Sequence, residues 1–375
     1  MHPFEGVTAG FLYRYLRSAT FISYVEDCQT GIAYPAINDK QFFSAWFPLP
    51  PLAEQQRIVA KVDELMALCD ALEAESAAAM AAHQAMVEAL LATLTASTDA
   101  ADLATRWARL ETHFDTLFNT EASVDALKQT ILDIAVQGKL VAQDKNDERA
   151  STLLSRIQNE RAKIIGAKKA SKVSTKTESA VILPDGWEWT PLACLGFTMT
   201  GGTPKSADPE NFAGSIPFIG PGQITPSGEI LTAEKFISET GLAQSTEALP
   251  GDILMVCIGG SIGKSAISRA RMAYNQQINS VRPVLVEGRY VDMYLRCSRF
   301  QTEVLDRATG SATPIINRTR WETISVALPP LAEQQRIVAK VDELLAICDQ
   351  LLTDLADAGL IQKHLAETIG ELAAA

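Results

Sequence analysis

LPPLAEQQRIVAKVDEL, residues 49–65, recurs without a change at residues 328–344, which is 279 positions later (49 to 328). Upstream the match continues without a gap. Tyr15-Leu16-Arg17, Phe21, Val25, Asp27, Thr30-Gly31, Ala33, Pro35 and Ile37-Asn38 return as Tyr294-Leu295-Arg296, Phe300, Val304, Asp306, Thr309-Gly310, Ala312, Pro314 and Ile316-Asn317. Downstream, Cys69-Asp70 and Leu72 return as Cys348-Asp349 and Leu351. Solenoid units run to about 20–50 residues. This longer period marks a duplicated module: the end of a globular domain, a Leu-Pro-Pro elbow, then a long helix.

The helices carry the clearest pattern. From Ile58 the apolar positions run Val62, Leu65, Cys69, Leu72, then Ala79, Met86 and Leu90. From Ile337 they run Val341, Leu344, Cys348, Leu351, Leu355, Ala358, Leu365, Ile369 and Leu372. Alternating spacings of four and three over several heptads are a coiled-coil seam. Each Pro-Pro pair stands just before its helix, where a missing N–H costs little. Two near-identical helices with one stripe each predict an antiparallel pair, 58–90 against 337–372. Such a pair would be a rod about 60 Å long at 1.5 Å per residue. His83 and Gln362 share a register position on the seam; they either fix register or turn outward near a helix end.

The two copies are unequal. A recognisable start, Leu183-Pro184-Asp185-Gly186-Trp187, lies about a hundred residues before the second repeat, whereas only ten residues precede the first. The expectation is an amino-terminally truncated first domain, of which 47 or so residues remain.

At 375 residues and 47% hydrophobic content, the chain has material for two or three domains. The six cysteines and four histidines are dispersed, with no CxxC pair; this disfavours zinc or a disulfide framework and makes a reducing cytoplasm the default. No unbroken apolar run reaches the roughly 18 residues of a membrane span. Net charge is −12, which argues against a surface coated with phosphate-binding residues. Its distribution is uneven. Residues 183–260 hold two Lys/Arg and nine Asp/Glu, residues 261–328 ten and five. A DNA-binding face would belong in the second stretch, unless that stretch is only a solvated mixed surface.

The resulting division is residues 1–47, the carboxy-terminal remnant of a first domain; 48–96, the first long helix; 97–182, a central helical region and basic linker; 183–328, a β-rich domain; and 329–375, the second long helix. In the centre, Leu103, Trp107, Leu110, Phe114, Leu117 and Phe118 predict an amphipathic helix. A second helix is predicted from a Ser123 cap through Val136 to Gly138. KIIGAKKASKVSTK, residues 163–176, reads as an exposed basic tether. In 183–328, short runs at 216–219, 253–258 and 280–286 predict strands, with Trp187, Trp189 and Phe197 as aromatic core.

Catalytic motifs do not survive inspection. Gly259-Gly260-Ser261-Ile262-Gly263-Lys264-Ser265 approaches a P-loop, but that motif needs four residues between its glycines and Ile258 occupies the required slot. Both Pro-Pro pairs read Leu-Pro-Pro-Leu, without the amide or carboxylate of an adenine methyltransferase motif. No nuclease carboxylate set accompanies Pro184-Asp185.

The twice-present LPPLAEQQRIVAKVDEL, together with Leu183-Pro184-Asp185-Gly186-Trp187-Glu188-Trp189, Gly201-Gly202-Thr203-Pro204-Lys205, Phe114-Asp115-x-Leu117-Phe118 and Gly138-Lys139-Leu140-Val141, resembles the specificity (S) subunits of type I restriction–modification enzymes. The resemblance covers essentially the whole chain. It implies a mixed α/β fold, with a β-rich target-recognition domain and long helices forming an antiparallel coiled coil. It also implies a non-catalytic subunit that reads half of a bipartite site on double-stranded DNA and holds methyltransferase (M) subunits. Restriction (R) subunits would join through the complex, and a second S chain is a further possible partner. S-adenosylmethionine, ATP and Mg²⁺ would be used by the partners, with no cofactor on this chain. A bare coiled-coil adaptor is the alternative.

Base readers are expected in the non-repeated part. The selected loops are 200–205, with Thr203 and Lys205 beside permissive glycines, and 260–277, with Lys264, Arg269, Arg271, Asn275, Gln276 and Gln277. Amides pair with adenine and arginine with guanine, whereas lysine adds phosphate affinity. The competing reading makes Asn275-Gln276-Gln277 a tie between strands and the glycine turn a tight hairpin. Partner and coiled-coil contacts are expected at Ile58, Val62, Leu65, Leu72, Ile337, Val341, Leu344 and Leu351. The shared segments 30–38 and 309–317 cannot discriminate different half-sites, so they should position backbone or close the fold.

Overall fold

The computed structural model describes residues 5–30, 35–166, 181–310 and 312–374. The chain forms two compact units, Met1–His83 and Gln84–Ala375.

In the first unit, α1 (Ala9–Leu16), α2 (Ala19–Cys28) and α3 (Asp39–Phe43) start on side-chain caps from Thr8, Ser18 and Asn38. Phe11, Tyr15, Phe21, Phe42 and Phe47 meet edge-on or tilted at 5.1–5.7 Å between centroids. The long helix α4 (Leu52–Thr95) then begins after the Pro-Pro elbow. Gln55, fully buried, locks that start: its carboxamide accepts from Thr8 N–H and donates to the Gly6 and Pro50 carbonyls, each at 2.8–2.9 Å.

The second unit contains the last turns of α4, then α5 (Ala100–Glu111), α6 (Phe114–Leu117), α7 (Glu121–Val136) and α8 (Ala150–Ile165). The amphipathic stretch is thus two helices broken at 112–113. Thr120, not Ser123, caps α7; Ser123 is the reciprocal member of a capping box. The basic run beyond residue 166 lies outside the described residues.

The β-rich domain follows: β1 (Glu188–Pro191), β2 (Gly196–Thr200), β3 (Ile216–Ile219), β4 (Lys235–Ile237), α9 (Glu239–Leu242), β5 (Thr246–Ala248), β6 (Ile253–Val256), β7 (Ser265–Ile267), β8 (Met272–Tyr274), β9 (Ile278–Pro283), α10 (Gly288–Arg296), α11 (Ser298–Arg307), α12 (Arg318–Glu322) and β10 (Ser325–Leu328), before α13 (Leu331–Ala374). One sheet has the order β2-β9-β6-β7, another β4-β3-β8-β5, and β1 pairs with β10. All pairings are antiparallel except β3 with β8. Trp187 is in the core as expected, while Trp189 and Phe197 are half-buried. The larger buried aromatics are Tyr274, Tyr290, Tyr294, Phe300 and Trp321.

One hydrophobic core runs from Val87, Leu91 and Leu94 of α4 through α5 and α7 into α10, α11, β10 and α13. The central helices, a region of their own in the sequence, share the core of the β-rich domain. The α13 stripe Ile337, Val341, Leu344 and Cys348 is covered, with α7 and α10 packing on the helix, and Leu351 packs at its margin. Polar ties hold α7 on both sides: Lys128 Nζ reaches Asp349 of α13 at 2.6 Å, and Asp133 accepts from Ser298 N–H of α11 at 2.7 Å. Ile58, Leu65 and Leu72 of α4 are exposed and Val62 half-buried. α4 also contains a window of mean hydropathy 1.3, enough by length and composition for a membrane span. The unbroken-run criterion misses it because polar residues such as His83, Gln84 and Glu88 interrupt the apolar ones; Val87, Leu91 and Leu94 within the helix are buried in the protein core.

Candidate nucleic-acid interface

Strand register brings the selected loops to one end of the sheets. Thr200 faces Asn279, Val256 faces Ile278, and Met255 faces Ser265. The chain leaving β2, the β6–β7 connection and the segment entering β9 therefore emerge side by side. Cross-links join them: Thr203 Oγ1 donates to Gln276 Oε1 at 2.6 Å, Cys257 N–H to the Gln277 carbonyl at 2.8 Å, and Ile316 N–H to the Cys257 carbonyl at 3.0 Å. Gly259 N–H donates to the Pro314 carbonyl at 2.9 Å, so the repeated 309–317 segment braces this end from behind. Burial pushes the Cys257 thiol up to about 12, which leaves no thiolate nucleophile there at neutral pH.

Six of the eight selected residues lie here: Thr203, Lys205, Lys264, Asn275, Gln276 and Gln277. Lys205 is exposed and Lys264 half-exposed, and neither forms an ion pair among the described residues. The glycines act differently from expectation. A Cβ on Gly201 would lie 2.0 Å from the Asn275 carbonyl oxygen, so glycine here admits the protein's own backbone. The amides are partly structural too. Asn275 Oδ1 accepts from Gln277 N–H at 3.0 Å and Asn275 Nδ2 donates to Gln277 Oε1 at 3.1 Å, while Gln276 stays exposed at the tip. The glycine turn is a tight connection between antiparallel β6 and β7, closed by Gly263 N–H to the Val256 carbonyl at 2.9 Å.

Arg269 and Arg271 fall elsewhere, on the β7–β8 connection at the far end of β7. Arg271 is held by two carboxylates, Glu239 through both terminal nitrogens at 2.7 and 2.9 Å and Glu247 through Nε at 2.5 Å. Those hydrogen bonds raise its pKa further and lower that of Glu239. It is not presented as a guanine reader. Part of the positive excess of 261–328 is consumed in the same way: Arg282 pairs with buried Asp252 and Arg289 with Asp342, both outside that stretch, while Arg296, Arg307 and Arg318 pair within it with Asp292, Glu303 and Glu322. Charge counting along the chain missed the partners of Arg271, Arg282 and Arg289 because those acids lie outside the counted stretch. Among the described residues, no group of three or more His, Cys, Asp or Glu is arranged to hold a metal ion.

The elbow of the second repeat contains polar residues the sequence reading passed over. Gln334 repeats the Gln55 lock, accepting from Glu287 N–H and donating to the Pro329 carbonyl, both at 2.9 Å. Glu333, 1% exposed, accepts from Trp187 Nε1 at 3.1 Å while its other carboxyl oxygen has no partner. Desolvation pushes its pKa up to about 7, against the opposing pull of the indole N–H and Arg336. The signal was available: a charged residue and an amide, identical in both copies, just after a Pro-Pro elbow.

Comparison with known proteins gives a consistent result. Residues 2–79 and 184–357 match the family described as the type I restriction modification DNA specificity domain. The chain is 35% identical over 391 residues to the type I restriction enzyme EcoAI specificity subunit of Escherichia coli, covering 99% of this chain and 65% of that protein. It is 33% identical over 389 residues to the EcoEI specificity subunit of the same species, covering 96% and 63% respectively. It therefore spans less than two thirds of either relative's length. In fold it is similar to a chain from a structure describing complex assembly and conformational transition of the type I R-M system, with TM-score 0.52, 21% identity, and coverage of 97% of this chain and 70% of that one.

Proposed function

Because the chain belongs to the type I restriction modification DNA specificity family, we propose that its 183–328 domain reads one half of a bipartite site on double-stranded DNA. The long helices would hold methyltransferase subunits, with restriction subunits joining through the complex. The coiled-coil pairing would involve the helix surfaces left open, including Ile58, Leu65 and Leu72. The chain would itself be non-catalytic, and its place of work the cytoplasm, where the DNA is.

The observation that carries the DNA reading is the convergence of loops 201–205, 257–264 and 275–277 at one sheet end, with Lys205 and Lys264 free of internal acids. Lysine supplies sequence-independent phosphate affinity, and the exposed amide of Gln276 is suited to an adenine edge. One observation favours the alternative of a coiled-coil adaptor: most arginines of 261–328 are already neutralised within the protein.

Duplex binding as a function of salt separates the two. With a random-sequence duplex, Lys264→Ala should weaken affinity and reduce the slope of log K against log salt by about 1, and Arg271→Ala should leave that slope unchanged. Absence of salt-dependent binding by the unaltered chain would favour the adaptor.

A further inference from the structure

The loop that carries Thr203 and Lys205 is fastened along its main chain. The Thr200 carbonyl accepts from Thr246 Oγ1 at 2.8 Å, and the Gly202 carbonyl from Ser245 Oγ at 2.6 Å. Gly201 N–H donates to the Ile278 carbonyl and Gly202 N–H to the Tyr274 carbonyl, both at 3.0 Å. The far end of the loop is held by two side chains outside the segments that the sequence singles out. Asn211, fully buried, donates from Nδ2 to the Lys205 carbonyl at 3.0 Å and accepts on Oδ1 from Gln244 Nε2 at 2.9 Å. Gln244 Oε1 in turn accepts from the Lys205 N–H at 3.4 Å, the longest link. The three residues close a ring on the main chain of Lys205.

The ring runs in one direction only. A main-chain N–H can only donate and a carbonyl can only accept, and the two amide side chains are strung between one of each. Turning Asn211 over would set its oxygen against the Lys205 carbonyl, and turning Gln244 over would set its NH2 against the Lys205 N–H. The support behind the ring is equally defined. Ser238, the cap of α9, donates its N–H to the Asn211 carbonyl at 2.9 Å and its hydroxyl to the Glu210 carbonyl at 2.7 Å. A Cβ on Gly241 would lie 2.3 Å from the Asn211 carbonyl oxygen, so glycine lets α9 close onto the asparagine. Gln244 follows that helix, with its N–H on the Gly241 carbonyl at 3.0 Å. One short element therefore seats Asn211 and supplies Gln244.

We infer that Asn211 and Gln244 are positioning residues of the DNA-reading end, which fix the Lys205 main chain so that its ammonium group reaches a backbone phosphate from a set point. Lys205 is exposed, and its stem is flexible, so the ammonium is placed only as well as the Cα that carries it. Ordering that Cα in advance removes a cost otherwise met on binding. Neither amide has to touch DNA for this to work. A ring that merely closes the fold of 205–211 would affect binding independently of the Lys205 side chain.

This inference rests on the DNA reading proposed above, and a double-mutant cycle tests it. Dissociation constants for a random-sequence duplex are measured at one salt concentration for the full chain, Lys205→Ala, Gln244→Ala and the double variant. Gln244 is the residue to replace because it is exposed, whereas Asn211 is buried and its loss would disturb the fold. Gln244→Ala should weaken binding by at least about twofold in the unaltered chain and add nothing once Lys205 is alanine. Losses that simply multiply would overturn the inference, and so would no loss from either single variant in a chain that binds. Absence of salt-dependent binding by the unaltered chain would overturn the DNA reading and this inference with it. Amide hydrogen exchange without DNA tests the ring by itself. Gln244→Ala should speed exchange of the Lys205 amide by at least about twofold; unchanged exchange would overturn the inference and leave the DNA reading standing.

Discussion

Glu333 shows how one carboxyl group couples the elbow to acidity. Its folded pKa, about 7, lies above its ordinary value of 4.5. The native state therefore holds a proton that the unfolded chain releases. The stabilising contribution is complete below pH 4.5 and is lost as pH rises to 7, on the order of 3 kcal/mol at 1.36 kcal/mol per unit. Glu333→Gln keeps an acceptor for the Trp187 indole but cannot ionise. In urea denaturation the variant should match the unaltered chain near pH 4.5 and exceed it in stability by pH 8. Parallel pH profiles for the two proteins would show that the Glu333 carboxyl group does not ionise against the fold. Arg271 makes the complementary point, since a residue type suited to guanine is made unavailable by two acids that sequence distance hides.

At the scale of the element, the two long helices carry one pattern with two uses. Leu344 is 8% exposed in the core with α7 and α10, whereas its counterpart Leu65 is 49% exposed. Leu344→Asp should therefore destabilise the second unit itself, by roughly 3 kcal/mol or more. It is a poor probe of partner binding. Leu65→Asp should change stability by less than about 1 kcal/mol while weakening retention of a methyltransferase subunit in a pull-down. Equal thermal midpoints for the two variants would contradict this division. The heptads were legible in the sequence because apolar spacing depends only on chain geometry. What covers each stripe was not, because α7 reaches α13 from more than two hundred residues away.

For the whole molecule, segment 309–317 braces the candidate reading end through Pro314 and Ile316 without belonging to it. Gly310, at φ +93° with a Cβ position 2.5 Å from the Thr313 carbonyl oxygen, closes that brace in a conformation other residues resist. Exchanging residues 309–328 between subunits of different specificity should leave the methylated target sequence unchanged, with overall affinity free to shift. A new target read by methylation mapping would move base discrimination into the brace.

The duplication, the elbows, the long helices, the mixed fold with a β-rich domain and the family were written in the sequence, because each depends on identity or spacing along the chain. The neighbourhoods were decided by tertiary structure. Strand register placed Lys264 and Gln276 together and sent Arg271 to the other end. Folding paired Arg271, Arg282 and Arg289 with acids distant along the chain, and desolvation raised the pKa of Glu333. Burial and charge compensation are properties of the contacts a residue receives, and those arrive from segments whose separation along the chain carries no trace of them.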